Sequence, residues 1–173
     1  MSNAVLEIGK KAAAAKSSIA NAGSAEKDRA LRLIAEALIR DTDKILAANE
    51  KDVNAAKENG MSSALIDRLS LTKDRIKAIA DAVLEIISLP DQVGRVVSGS
   101  TRPNGIRITK VSVPLGVIAV IYEARPNVTA DAAALCLKSG NAVILRGGKE
   151  AFNSNMEIVN SMRSALSQTS ISP

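Results

Sequence analysis

The chain has no histidine and no tryptophan, and only one cysteine, one tyrosine and one phenylalanine in 173 residues. Each scarcity closes off a class of function. A single cysteine rules out an internal disulfide, and without histidine a zinc site has almost no ligands to draw on. Aromatics at 1% of the chain leave no stacking platform for single-stranded nucleic acid, and oblige the core to be built from Ala, Val, Ile and Leu. No apolar stretch approaches the ~20 residues of a membrane span. The N-terminus also lacks the basic, apolar and small-residue order of a secretory signal, so the expected location is the cytoplasm. What is present is an ordinary globular composition, 46% apolar and 24% charged, on a length that favours one domain.

The net charge of +5 is unevenly placed. Residues 1–93 carry 14 basic and 14 acidic side chains, and residues 151–173 carry one of each. The whole excess therefore falls in 94–150, where Arg95, Arg102, Arg107, Lys110, Arg125, Lys138, Arg146 and Lys149 face only Glu123, Asp131 and Glu150. Such a local field suits an anionic ligand, such as a dinucleotide or an acyl phosphate, and it equally suits a solvated basic surface. The neutrality of 1–93 counts against a helical nucleic-acid binder, which concentrates its cations along the contact face.

Periodicity divides the chain the same way. Residues 3–22 read as a helix, with Ser24 as a candidate N-cap for the next. Leu31, Ile34, Ala35, Leu38, Ile45 and Leu46 follow helical spacing, with a possible interruption at Asp41-Thr42-Asp43 and a stop at Asn59-Gly60. A short helix at 62–69 precedes Thr72, an expected N-cap for a helix whose buried stripe is Ile76, Ile79, Ala80, Val83 and Ile87. From Gly94 the pattern becomes extended. Segments 95–100 and 106–113 flank Pro103-Asn104-Gly105, a hairpin signal. Ile106 and Ile108 share one face while Val111 and Val113 take the other, which calls for a bulge or for a ribbon that leaves one packing surface for another. A long two-stranded ribbon is marginal alone, so it is expected to pack against something, another subunit included. Strand 117–122, helix 128–139, strand 142–146 and helix 152–166 complete the chain. The two strands are apolar throughout, the pattern of parallel strands buried on both faces. The expected fold is α/β, with N-terminal helices, a hairpin and the first βαβα units of an incomplete parallel Rossmann-like sheet.

Three segments carry candidate chemistry. Arg146-Gly147-Gly148-Lys149-Glu150 follows a strand and opens a helix, so its glycines could let backbone approach a phosphate that Arg and Lys would grip. It is neither a Walker A loop nor a G-x-G-x-x-G turn, and a plain strand-to-helix turn with exposed charges reads equally well. At Ala124-Arg125-Pro126-Asn127, Asn127 could cap the following helix or donate to a developing oxyanion, with Arg125 holding an anionic substrate group. Cys136 lies in an apolar helical run with no histidine to activate it, and reads as a small core residue.

The segments Val5-Leu6-Glu7-Ile8-Gly9-Lys10, Ala47-Ala48-Asn49-Glu50-Lys51-Asp52-Val53, Leu65-Ile66-Asp67-Arg68-Leu69, Tyr122-Glu123-Ala124-Arg125-Pro126-Asn127-Val128 and Ile144-Leu145-Arg146-Gly147-Gly148-Lys149-Glu150 together resemble the gamma-glutamyl phosphate reductases, or glutamate-5-semialdehyde dehydrogenases, of the aldehyde dehydrogenase superfamily. The resemblance covers nearly the whole chain and corresponds to the N-terminal portion of that family. It implies NADPH-dependent reduction of L-glutamate 5-phosphate to the semialdehyde in proline biosynthesis. It also implies a partial cofactor-binding domain made of a helical segment 1–93, an oligomerisation hairpin 94–113 and a nucleotide-binding unit 114–173. Arg146, Lys149 and Glu150, with Gly147 and Gly148 between them, would meet the adenosine ribose and its 2′-phosphate. Asn127 would lie near the superfamily's oxyanion-hole asparagine, with Arg125 beside it. Homo-oligomers through the hairpin and a functional association with glutamate 5-kinase are further implications. The family's catalytic cysteine lies in a later domain, so this chain alone is expected to be inactive. The alternative is a non-catalytic nucleotide- or anion-binding fragment of an aldehyde-dehydrogenase-like protein.

Overall fold

The computed structural model describes residues 3–173, and seven helices and four strands alternate along it in two blocks. The first block is helical: α1 (Asn3–Ala20), α2 (Ser24–Arg40), α3 (Thr42–Glu58), α4 (Ser63–Leu69) and α5 (Lys73–Ile87). The second holds the hairpin β1 (Val96–Thr101) and β2 (Arg107–Val111), then β3 (Val117–Ile121), α6 (Pro126–Lys138), β4 (Ala142–Arg146) and α7 (Phe152–Leu166).

Helix α2 organises the packing. Its apolar face, Ala30, Leu31, Ile34, Ala37 and Leu38, is removed from solvent against α5 and α7. Ile45, Ile76, Val83, Ala130, Ala134 and Ile158 complete one aliphatic core. Small residues dominate on α6, so it lies close to its neighbours. A second, smaller cluster of Ala56, Leu69 and Ala151 takes in Ala124, and anchors the two strand-end loops to α3 and α4. Thr72 caps α5 as expected, its hydroxyl accepting from Arg75 N–H at 3.1 Å. The α5 stripe differs by one residue: Ile86 closes it inside the core, while Ile87 is only half-buried beside it.

Two buried lysines pin this arrangement. Lys27 is fully buried and reaches Asp91 at 2.9 Å, tying α2 to the segment after α5. Lys138 at the end of α6 binds Asp28 at 2.6 Å and the Ile87 carbonyl at 3.0 Å. Removing either carboxylate would strand a buried charge, which costs about 3–5 kcal/mol. Ser24 is not an N-cap. The cap position is Gly23, and the Ser24 hydroxyl donates to Asp91 at 2.8 Å, drawn into the charged cluster around Lys27.

The hairpin forms with a turn closed by Gly105 N–H to the Arg102 carbonyl, Gly105 adopting φ +85°. The expected bulge exists but sits in the opposite strand: Val96 pairs with Val111 and Ser98 with Lys110, leaving Val97 as the extra residue. Every residue of both strands is exposed, including Val96, Val97, Ile108 and Val111.

Strands β3 and β4 pair in parallel, Ile121 opposite Arg146. Gly140, at φ +75°, ends α6, and a Cβ there would stand 2.9 Å from Pro114. Asn141 then fixes the start of the ladder by accepting from Gly116 N–H at 2.8 Å. The reading of both strands as buried on both faces is corrected here. Helix α1 and helix α6 pack mainly on β4, whereas Val117 is 37% and Ile121 81% exposed, because β3 pairs only with β4 and its alternate residues face no covering element among those described. Among the described residues no helix is long and apolar enough to cross a membrane.

Candidate functional site

Parallel pairing brings the C-terminal ends of β3 and β4 side by side, and the ladder runs one step further through Tyr122 N–H to the Arg146 carbonyl at 3.1 Å. The loops that follow therefore touch. A Cβ on Gly148 would stand 2.9 Å from the Ala124 backbone nitrogen, and one on Gly147 would collide with Asn155 Nδ2 and stand 3.1 Å from the Tyr122 ring. Neither glycine has positive φ. Both are needed because the loop presses on its own chain, so the close approach expected of a ligand is made here by Tyr122, Ala124 and Asn155.

A hydrogen-bonded chain behind the loops escaped the sequence reading. The Thr129 hydroxyl donates to Asn155 Oδ1 at 2.9 Å, which leaves Tyr122 to donate its hydroxyl to Thr129 at 2.7 Å. Burial pushes the Tyr122 hydroxyl pKa up, against the Thr129 bond, so the phenol stays protonated. The chain joins β3, α6 and α7 and holds both loops in register. The one available signal was that the chain's sole tyrosine ends a strand.

The start of α7 is closed. Asp52 of α3, 4% exposed, accepts from Ser154 N–H at 2.7 Å and Ser154 Oγ at 2.6 Å, and from Asn153 Nδ2 at 2.7 Å and Asn153 N–H at 3.2 Å. Asn49 donates to the same Ser154 hydroxyl at 3.0 Å and, through its own oxygen, accepts from Leu71 N–H at 2.8 Å. A buried carboxylate thus already occupies the anion position of this helix terminus. The N–H groups of Asn153 and Ser154 are thereby taken, and Arg146 and Lys149 are both exposed beside this loop. Arg146 also donates to the Gly147 carbonyl. Glu150, half-buried, follows in a 3-10 turn spanning Lys149–Ala151.

The start of α6 is different. Pro126 takes its first position, so the cap is Arg125, with no side-chain cap bond. Asn127 lies inside the first turn, exposed, donating to Asp131 Oδ2 at 3.2 Å, and is not the cap the sequence suggested. Arg125, Asn127 and Asp131 line one side of a cavity of about 450 Å3, with Asp67, Arg68 and Arg75 from the α4–α5 segment opposite. Leu71, Ala78, Ile79 and Ala82 give it an apolar floor. Burial raises the Asp131 carboxyl pKa, against the Asn127 amide. The structure therefore separates the candidates into two groups, the 146–150 loop and the 125–131 cavity wall, linked in that Gly148 abuts Ala124, the residue before Arg125. Cys136 belongs to neither. It is buried in α6, and burial pushes its thiol pKa up, away from thiolate chemistry.

No protein-family model matches the chain. Curated relatives do: a gamma-glutamyl phosphate reductase of Thermobifida fusca is 54% identical over 167 residues, 96% of this chain and 40% of that protein. One of Clostridium perfringens is 52% identical over 171 residues, 99% of the chain and 41% of the relative. The chain thus spans about two fifths of the length of the curated relatives it matches. The crystal structure of gamma-glutamyl phosphate reductase from Thermotoga maritima superposes with a TM-score of 0.95 at 45% identity, covering 96% of this chain and 40% of that one. An acetylating aldehyde dehydrogenase from Geobacillus thermoglucosidasius, 17% identical, shares the fold at a TM-score of 0.66 over 95% of this chain and 33% of its own. Over nearly its whole length, then, this chain is similar in sequence and structure to about two fifths of a gamma-glutamyl phosphate reductase, and its fold is aldehyde-dehydrogenase-like.

Proposed function

We propose that this chain forms part of an NADPH-dependent reductase that converts L-glutamate 5-phosphate to L-glutamate 5-semialdehyde in proline biosynthesis, working in the cytoplasm. The observation that carries the reading is the close contact of a basic strand-end loop, at Gly148, with Ala124, which directly precedes Arg125 in the wall of a charged cavity, in a chain 54% identical to a reductase of that name.

The residues on the loop suit a phosphorylated dinucleotide. Arg146 and Lys149 are exposed cations on one short loop, fit to hold a ribose 2′-phosphate by charge-assisted bonds, and Glu150 beside them suits a ribose hydroxyl. NADPH, when bound, supplies the hydride. The protein's part on this side is to bind and orient, through cations carried on a backbone that the Tyr122–Thr129–Asn155 chain keeps rigid. At the start of α6, Arg125 would hold an anionic group of the substrate, and the Asn127 amide lies where it could donate to its oxygen. A catalytic thiol is assigned to the part of the relatives' length that this chain does not cover, since the helical position of Cys136 and its raised pKa disfavour it. The exposed hairpin is assigned to contact with a second copy. A functional association with glutamate 5-kinase belongs to the same reading.

The test is spectrophotometric. The intact protein is given L-glutamate 5-semialdehyde, inorganic phosphate and NADP, and NADPH formation is followed. The aldehyde is oxidised, the cofactor takes the hydride, phosphate adds to the acyl carbon, and one proton is released. Phosphate-dependent NADPH formation supports the reading, and its absence removes it.

A further inference from the structure

We propose that the cavity between α4, α5 and the first turns of α6 seats the amino-acid end of the substrate, with Asp131 accepting its α-ammonium while Arg68 and Arg125 take its anionic groups. The inference rests on the reductase reading above and goes further by assigning the group that recognises an amino acid.

The charges lining the cavity carry the argument. Asp67 and Arg75 are already paired at 2.8 Å, and Arg75 is further engaged by the Asp67 and Ser70 carbonyls. Arg68 makes no ion pair among the described residues, and Arg125 has only a long 3.7 Å contact with Glu123, both side chains being well exposed. On the opposite sign stands Asp131, half-buried, with no cation in reach among the described residues and only the Asn127 amide, at 3.2 Å, on its carboxylate. The cavity thus holds one cation without an ion pair, Arg68, one loosely paired cation, Arg125, and one carboxylate, Asp131, that no cation meets among the described residues.

A simple anion would satisfy the arginines but meet repulsion from Asp131. A simple amine would do the reverse. A molecule bearing both charges satisfies all three groups, and an α-amino acid is the compact form of it. The apolar floor of Leu71, Ile79 and Ala82 suits a short methylene chain. Burial raises the Asp131 pKa, and an ammonium beside it would act in the opposite sense by favouring the ionised carboxylate.

The experiment compares two aldehydes in the intact protein under the phosphate-dependent assay: L-glutamate 5-semialdehyde, and glutarate semialdehyde, which has the same carbon chain without the amino group. The parent should prefer the aminated aldehyde in kcat/KM by roughly 10- to 100-fold, the worth of a buried charge-assisted contact. Asp131→Asn should cut that preference at least about ten-fold, through the KM of the aminated aldehyde. The des-amino aldehyde and the NADP KM should stay within about two-fold. Asp131→Glu should retain part of the preference. If Asp131→Asn keeps the parent preference, or lowers both aldehydes equally, Asp131 does not read the ammonium, although the reductase reading survives. If the parent oxidises neither aldehyde, both fall.

Discussion

Replacing Asp52 by Ala should weaken the fold more than any surface carboxylate does, although Asp52 pairs with no cation among the described residues. Its carboxylate is the cap of α7, supplied from α3 across about a hundred residues of sequence. Truncation leaves the Ser154 N–H and hydroxyl, both in a fully buried residue, without an acceptor, whereas exposed Asn153 can turn to water. Each buried donor left unmatched costs about 1–3 kcal/mol, and a lost N-cap alone about 0.5–2 kcal/mol. Asn49 still donates to the Ser154 oxygen, so the two penalties overlap, and a total of about 2–4 kcal/mol follows. Asp52→Asn keeps one oxygen for Ser154 and should lose roughly half as much. Urea unfolding of the intact protein, compared at constant slope, reads the difference as a shift in midpoint. If Asp52→Ala lies within about 0.5 kcal/mol of the parent, the spread expected of a featureless surface change, the capping account is wrong and the start of α7 is free for a ligand after all.

Other consequences are as specific. Hydrogen bonding from Arg40, helped by Lys44, holds Asp41 at a pKa of about 2 despite its burial. A depressed carboxylate stabilises above its unfolded value near 4 and loses that contribution as pH falls toward 2. Asp41→Asn should therefore flatten the stability-pH curve in that window by at most about 2 kcal/mol and leave neutral-pH activity unchanged. Changing Ile108 and Val111 to Asp should shift the intact protein toward monomer in sedimentation, and an unchanged oligomer would mean that the hairpin packs within its own chain. The 173-residue chain alone should form no NADPH from the semialdehyde, and turnover that vanished in Cys136→Ser would make that thiol catalytic.

What the sequence made legible, and what it hid, follows the range of the interactions concerned. Periodicity located α3's break at Asp41, the whole of β4 and the extent of α7, because each is set by neighbours within a few residues. Thr72 was recognisable as a cap because its acceptor serves its own helix three residues on. Ser24 and Asn127 looked like caps on the same reasoning and are not. Long-range Asp91 draws the Ser24 hydroxyl away, and Pro126 moves the helix start so that Asn127 falls inside it. The burial of β3 was overread, since an apolar run tells what a strand can be covered by, not whether the cover is present. For the site, the basic loop and the Arg125–Asn127 turn stood out by residue type. Asp52, Asn155 and Thr129 did not, because their roles depend on elements that come together only in the fold. The glycine pair stood out for a reason that the structure changes: its closeness is to Ala124 and Tyr122.

The division of labour between the two seats is tested most directly by one ratio, kcat/KM for NADP over NAD in the phosphate-dependent oxidation of the aldehyde, in the intact protein carrying Arg146→Ala and Lys149→Ala together. With the start of α7 closed by Asp52, the proposed reading leaves the 2′-phosphate to these two side chains, so the ratio should fall about ten-fold or more while the aldehyde KM stays within about two-fold. An unchanged ratio, or a rise confined to the aldehyde KM, would contradict the account.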